Sequence, residues 1–294
     1  MKRLIAAFVA VLALSGLAAC GSDTTPTTAG SSDNAVPHRI VSMSPTATEM
    51  LYAIGAGSQV VAVDSNSNFP ADVPKTDLSA FEPNAEAIAN YKPDLVVISN
   101  DVKNLRDELG ALGIPVLLQP AASTLDDTYT QITELGDRTG HRPEADRLVG
   151  SMKQQIADLT KDLDRSGPQP TYFYELDNTL YTVTSKTFIG QVFSLAGLTN
   201  IADPADANGQ SGGYPQLSPE FLVQADPDFV FLADTKCCAQ DAATFAARPG
   251  FGGLKAVREG HVVPLDDDVA SRWGPRVVDL LRQIVQATRG VPVG

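Results

Sequence analysis

The 294-residue chain is short of the residue types that build reactive centres. It has three histidines (His38, His141 and His261) and three cysteines (Cys20, Cys237 and Cys238). The histidines fall at a strand start, an inter-helix turn and a strand edge, without metal-ligand spacing. No Gly-x-Ser-x-Gly elbow, phosphate loop or Ser–His–carboxylate set occurs, so the usual hydrolase and phosphoryl-transfer centres are missing. Positive charge is also scarce: 22 Lys and Arg against 35 Asp and Glu leave a net −13. So acidic a chain, with no basic stripe, has little to hold nucleic-acid phosphates. Aromatics make up 6%, and tryptophan occurs once, at Trp273. After residue 19 no apolar run approaches the roughly 20 residues that a spanning helix needs.

What is present begins with a leader. Lys2 and Arg3 precede an apolar run from Leu4 to Leu14, followed by Leu17-Ala-Ala-Cys20. That is the charged, apolar and small-residue order of a signal peptide over residues 1–19. Cysteine directly after Leu-Ala-Ala resembles the bacterial lipoprotein signal, which implies that Cys20 carries lipid and becomes the new N-terminus. Maturation then removes two positive charges from an already acidic chain. Residues 20–37 are rich in Gly, Ser, Thr, Asp and Pro, cannot bury enough apolar surface to fold, and form a flexible tether. Two acyl chains meet the two-signal requirement for stable anchoring. The folded part is expected outside the cytoplasmic membrane, attached through its lipid alone and monomeric.

The rest is long for one hydrophobic core, and it repeats. Ser44-Pro-Thr-Ala-Thr-Glu-Met-Leu-Tyr-Ala-Ile-Gly55 corresponds to Ser185-Lys-Thr-Phe-Ile-Gly-Gln-Val-Phe-Ser-Leu-Ala-Gly197. Asn84-Ala-Glu through Lys92-Pro-Asp-Leu-Val-Val-Ile-Ser99 corresponds to Ser218-Pro-Glu through Asp226-Pro-Asp-Phe-Val-Phe-Leu-Ala233. Each member of that second pair is a short helix, a Pro-Asp turn and an apolar run suited to a strand buried on both faces. Leu112 to Leu118 corresponds to Val257 to Leu265. Three matches in one order predict an α/β fold of two similar lobes, each a mostly parallel sheet flanked by helices. Between them, Ala145, Leu148, Val149, Met152, Ile156, Leu159 and Leu163 return to one face of a helix running from Pro143 to Arg165. At about 1.5 Å per residue this bar is roughly 34 Å long. The expected organisation is an N-terminal lobe at 38–141, a single rigid connecting helix at 142–166 and a C-terminal lobe at 167–294.

Loops after the carboxyl ends of parallel strands bind ligands in such sheets. Loops at 43–47, 64–70, 79–83 and 99–102 therefore converge on one edge, opposite loops at 175–187, 203–214, 233–241 and 266–273. The cleft between the lobes is the expected small-molecule site. Its candidate ligand contacts are Asn68, Phe69, Phe81, Asp177, Asn178, Tyr214, Asp267, Asp268, Arg272 and Trp273. Arg272 suits a carboxylate, phosphate or catecholate. Trp273 suits a half-exposed place where the indole N–H finds a partner. The acidic run 266–268 reads as a solvated turn, and no residue is assigned to a metal.

These features resemble the lipoprotein substrate-binding proteins that deliver iron complexes and cobalamin to ABC importers. The resemblance covers nearly everything after residue 38 and rests on the Ser-Pro-Thr-Ala-Thr-Glu opening, the Glu-Ala-Ile…Lys-Pro-Asp-Leu-Val segment, the joining helix and the Trp-Gly-Pro-Arg close. It implies a carrier rather than an enzyme, with no cofactor beyond the bound ligand, either a ferric siderophore or cobalamin. A receptor for bare metal ions, or an enzyme using the same cleft, is the competing reading. It also implies that Glu86 and Glu220, at equivalent places in the repeat, pair with arginines of the permease. Tyr214 resembles the aromatic that stacks on a corrin in cobalamin-binding relatives. The absence of arginine at 64–70 and 79–83 departs from many siderophore-binding relatives, and the low aromatic content departs from a haem site.

Cys237 and Cys238 follow Phe229-Val-Phe-Leu-Ala-Asp, past a strand end and on the cleft side by the loop rule. Thiols outside the membrane tend to oxidise. The pair is a candidate vicinal disulfide, with free thiols or pairing between molecules as the alternatives. Adjacent Cα atoms, about 3.8 Å apart, are closer than the usual disulfide span.

Overall fold

The computed structural model describes residues 36–289. The leader, Cys20 and nearly all of the tether lie outside the described residues. The first half runs β1 (Ile40–Met43), α1 (Pro45–Ala53), β2 (Val60–Val63), α2 (Ala85–Ala89), β3 (Leu95–Ile98), α3 (Leu105–Ala111) and β4 (Val116–Leu118). Helices α4 (Leu125–Thr139) and α5 (Arg142–Thr160) follow. The second half runs β5 (Thr171–Glu175), α6 (Phe188–Leu195), β6 (Thr199–Asn200), α7 (Pro219–Ala225), β7 (Phe229–Leu232), α8 (Ala242–Ala246), α9 (Lys255–Arg258) and β8 (Val262–Pro264). Helices α10 (Asp267–Ser271) and α11 (Val277–Thr288) complete it.

The strands form two separate four-stranded sheets, ordered β2-β1-β3-β4 and β6-β5-β7-β8. Every pairing is parallel. The expected duplication is therefore explicit in the topology. In both lobes the central strands are wholly buried, as continuous apolar runs such as Leu-Val-Val-Ile and Phe-Val-Phe-Leu require. The helices start alike too. Ser44, Asn84, Thr187 and Ser218 each accept a backbone N–H three residues on, and Pro45 and Pro219 occupy first helical positions.

The connecting helix differs from its expected extent. α5 covers 19 residues, about 28 Å, and stops at Thr160 rather than Arg165. Beyond it Asp164 folds its carboxylate back onto the N–H and hydroxyl of Ser166 (2.9 and 2.6 Å), a local turn that competes with helix. Leu163 still packs on the core, which is why the periodicity ran on. Nor is the bar a lone strut. α4 packs along it closely enough that a Cβ on Gly136 would lie 2.5 Å from that of Ala145, and α11 lies against it as well. One apolar core runs through α1, α4, α5, β5, α6 and α11, so the lobes share it on their back side. Smaller clusters fill the far face of each sheet. Among the described residues, no helix is long and apolar enough to cross a membrane.

Candidate functional site

Strands β1, β2 and β3 end together, and the chain after each becomes small and polar. There the structure opens a cavity of about 460 Å³. Its walls are Ser44, Pro45 and Thr46 after β1; Asp64, Ser65, Asn66 and Asn68 after β2; Ala80 and Phe81; Ser99, Asn100 and Val102 after β3; and Asp268, Ser271, Arg272 and Trp273 from the end of the chain. All four first-lobe loops predicted to converge do so. Of the second-lobe loops, 266–273 alone reaches this cavity. Other hollows of about 510, 590 and 560 Å³ lie away from the strand ends, beside 162–170, Glu86 and Tyr129.

Beneath Asp64 runs a buried hydroxyl chain. Thr48 Oγ1 donates to Ser42 Oγ at 2.8 Å and lies 2.9 Å from Ser67 Oγ, while Ser67 donates to Asp64 Oδ1 at 2.5 Å. Burial pushes the Asp64 carboxyl above its ordinary value, against the lowering effect of Ser67, the Asn66 amide and the Arg272 charge. The upper wall is an ion-pair lattice. Arg272 is buried and donates to Glu49 Oε1 (2.7 Å), Asn68 Oδ1 (3.0 Å), the Asn66 carbonyl (3.1 Å) and Asp268 Oδ1 (2.6 Å). Lys236 reaches Asp266 and Asp268, each at 2.8 Å. Burial disfavours ionisation of Asp268, but Lys236, Asn68 and Arg272 outweigh it and hold the carboxyl below its ordinary range.

Five of the ten expected ligand contacts thus line the cavity: Asn68, Phe81, Asp268, Arg272 and Trp273. Arg272, expected as an anion clamp, already spends both of its terminal nitrogens within the protein. Phe69 stands beside the cavity under Arg276, whose guanidinium lies 4.3 Å from the ring centre. Asp177 closes its own turn by accepting from the N–H and hydroxyl of Thr179 (2.8 and 2.5 Å), with Asn178 exposed in that turn. Asp267 accepts the N–H groups of Lys236 and Cys237 (3.0 and 2.9 Å) and so ties a loop to α10. Tyr214 is half exposed and does not line the cavity. Trp273 is half-buried; its indole N–H donates to Gln131 Oε1 at 3.1 Å.

Cys237 and Cys238 are joined as neighbours, Cα atoms 3.8 Å apart, in the loop after β7. They too stand apart from the cavity walls. Behind them lies a buried acidic pair. Arg248 grips both oxygens of Glu175, the last residue of β5, at 2.8 and 2.6 Å. Both oxygens of nearby Asp234 are buried without a partner. Burial pushes Glu175 up to about 7 despite Arg248, and raises Asp234 as well.

Glu86 and Glu220 occupy the first turns of α2 and α7, exposed and, among the described residues, outside any ion pair. Leu112 is an exposed apolar neighbour of Glu86, and exposed Val223 lies one turn from Glu220. Sequence reasoning missed Glu49, whose signal was a carboxylate set among the buried positions of α1. It also missed Arg276, four residues from Arg272 across Trp-Gly-Pro. Among the described residues no group of three His, Cys, Asp or Glu side chains is placed to hold a metal ion.

A family model described as periplasmic binding protein matches residues 40–269. An uncharacterized ABC transporter substrate-binding lipoprotein of Bacillus subtilis (strain 168) is 28% identical over 269 residues, covering 85% of this chain and 80% of that one. A cobalamin-binding protein of Halobacterium salinarum is 30% identical over 259 residues, covering 85% of this chain and 69% of that one. A solved periplasmic haem-binding protein of Vibrio cholerae has a TM-score of 0.75 at 23% identity, covering 84% of this chain and 97% of that one. That last likeness is one of fold.

Proposed function

Because the chain belongs to the periplasmic binding protein family, we propose that it is the receptor of an ABC importer and that its ligand is a corrinoid. It is a binding protein and not an enzyme. The observation that carries the ligand class is the cavity's donor set. Thr46, Ser65, Asn66, Ser99 and Asn100 offer neutral hydroxyl and amide groups that have no partner among the described residues, and the cavity's own arginine is already paired. Such a wall matches the peripheral carboxamides of cobalamin, which both donate and accept. It matches an anionic ferric siderophore poorly, since among the described residues the cavity walls hold no cation outside an ion pair. Among the described residues no tyrosine or histidine lines the cavity for haem iron. The 30% identical cobalamin-binding relative supports the same class.

Within this reading the cavity takes one edge of a ligand larger than itself, and the open mouth takes the rest. Glu86 and Glu220 meet cationic residues of the permease, the receptor acts as a monomer, and Cys20 carries the lipid that keeps it at the outer face of the cytoplasmic membrane.

The test uses Trp273, the sole tryptophan, which lines the cavity. Purified protein is titrated with cyanocobalamin, a ferric hydroxamate, haem and zinc, and binding is confirmed by calorimetry. Saturable quenching by cyanocobalamin alone, with a dissociation constant at or below about 1 μM, is expected. Saturable binding of the ferric hydroxamate without cyanocobalamin would move the assignment to siderophores, and tight zinc binding would replace it with metal capture.

A further inference from the structure

Helix α1 buries a run of six residues, Thr46 through Leu51, and Glu49 is the one charge in it. An ionised carboxylate there is costly unless it is paired. Its partners come from the far end of the chain, 223 and 227 residues on. Arg272 donates to Oε1, and Arg276 forks across both oxygens, with Nε 2.9 Å from Oε2 and Nη2 on Oε1. The two arginines flank Trp273-Gly274-Pro275 and pin that segment onto α1. A Cβ on Gly274 would lie 3.4 Å from Thr46 Cγ2 and 3.6 Å from Glu49 Oε2, so the segment lies flat against the helix. Outward, the same guanidinium of Arg272 holds Asn68, the Asn66 carbonyl and Asp268, and that of Arg276 covers Phe69.

We propose that Glu49 is a positioning residue for the ligand cavity, setting the place of Asn66, Asn68, Asp268 and Trp273 without lining the cavity itself. The proposal rests on reading this cavity as the ligand site. The geometry supports it in three ways. Each of these four wall residues is bonded to Arg272 or directly follows it in the chain, and Glu49 is the carboxylate shared by both arginines. The pairs are buried, with Glu49 and Arg272 at 2 and 7% exposure, where ion pairs add little net stability but fork geometry fixes direction. Trp273 has two further fixed points, since its carbonyl accepts from Thr128 Oγ1 at 2.8 Å and its indole donates to Gln131. The ring can turn only by breaking the Gln131 bond, and the segment that carries it can shift to strain that bond only if the arginines on either side let go.

The test separates position from fold. Glu49→Gln removes the carboxylate, and the double variant Glu49→Gln/Arg276→Gln also removes one positive charge, restoring charge balance without the fork. Three quantities are read on full-length protein: melting temperature, Trp273 emission with acrylamide quenching in the absence of ligand, and cyanocobalamin affinity. Glu49→Gln is expected to red-shift and expose Trp273 and to weaken cyanocobalamin binding about ten- to a hundredfold. The double variant is expected to regain melting temperature while emission and affinity stay impaired. Recovery of all three in the double variant, or unchanged emission and affinity in Glu49→Gln, overturns the proposal. If Glu49→Gln does not fold, Arg276→Lys keeps the charge and loses the fork; native emission in that variant overturns the proposal equally. Failure of cyanocobalamin to bind the wild-type protein would count against the ligand class alone, because ligand-free Trp273 emission still reports on Glu49.

Discussion

The two lobes share a strand order and the same manner of starting their helices, yet the carboxyl edges of their sheets have opposite fates. The first edge leaves the side chains of Ser65, Asn66, Ser99 and Asn100 without partners among the described residues, around an open cavity. The second edge spends its polar groups on itself, with Glu175 on Arg248, Asp267 on the loop at 235–237, and Lys236 on Asp266 and Asp268. Its one contribution to the cavity is the chain segment that crosses over to the other lobe. Meanwhile the outer rims stay alike, each with an exposed glutamate in a first helical turn beside an exposed aliphatic side chain. Duplication supplied a symmetric exterior and two scaffolds, and the inner edges then specialised, one for contact and one for rigidity.

That contrast can be broken at the rims with the largest effect. Replacing both Glu86 and Glu220 by Arg should reduce cellular ligand uptake to background while the purified receptor binds as before; a binding defect in that variant would show that the rims are not independent of the cavity. Next in size, Arg248→Ala leaves the buried Glu175 carboxyl and the Gln240 amide oxygen without their donor and should cost about 1–3 kcal/mol of stability, read as a fall in urea midpoint at neutral pH. If the second edge is the rigid one, no first-edge substitution of an exposed wall residue should approach that loss.

The same acidic pair makes a pH prediction. Glu175 is fully buried, and in the folded protein its carboxyl is pushed up to about 7 by burial, whereas unfolded it returns to about 4.3. Between those values the folded chain keeps a proton that the unfolded chain releases. The favourable contribution is complete below about pH 4 and is lost as pH rises through about 7. Asp234, raised by burial beside it, acts in the same direction, while Arg248 opposes and Asp267 faces Asp234 with like charge. Stability from this site should drop by on the order of 1–3 kcal/mol between about pH 5 and about pH 8. Glu175→Gln should flatten that part of the profile in paired denaturant melts, and an unaltered slope would assign it to other groups.

The smallest effects test the ligand side directly. Phe81→Ala should weaken ligand binding about tenfold with stability inside about 0.5 kcal/mol, because the ring is 74% exposed and lines the cavity. Tyr214→Ala on the opposite edge should change affinity about twofold at most. Equal losses in both titrations would restore the second lobe as a contact surface.

The scaffold was legible because its signals are local. Apolar runs marked the buried strands, and Ser44, Asn84 and Ser218 opened repeat segments whose helix starts the structure keeps. Even the misplaced end of α5 came from a residue, Leu163, that reaches the core from a turn instead of a helix. The cavity loops were legible for the same reason, since strand ends are read from the strands. What escaped was pairing across distance. Nothing within a few residues of Glu49 announces Arg272 and Arg276, and nothing near Arg272 says that four acceptors already surround it. Tyr214, Asp177 and Asn178 were placed by the loop rule, which names an edge but not how far a side chain reaches inward.

A last consequence follows from how far apart in sequence Glu49 and its arginines stand. The segment 266–288 comes off the second sheet, packs against α5 and lays Arg272, Trp273 and Arg276 against α1. Synthesis therefore makes α1 223 and 227 residues ahead of the side chains that neutralise its buried anion. The receptor behaves as an arch whose keystone is cut from the opposite side: substitutions at Arg272 or Arg276 should act on the N-terminal half.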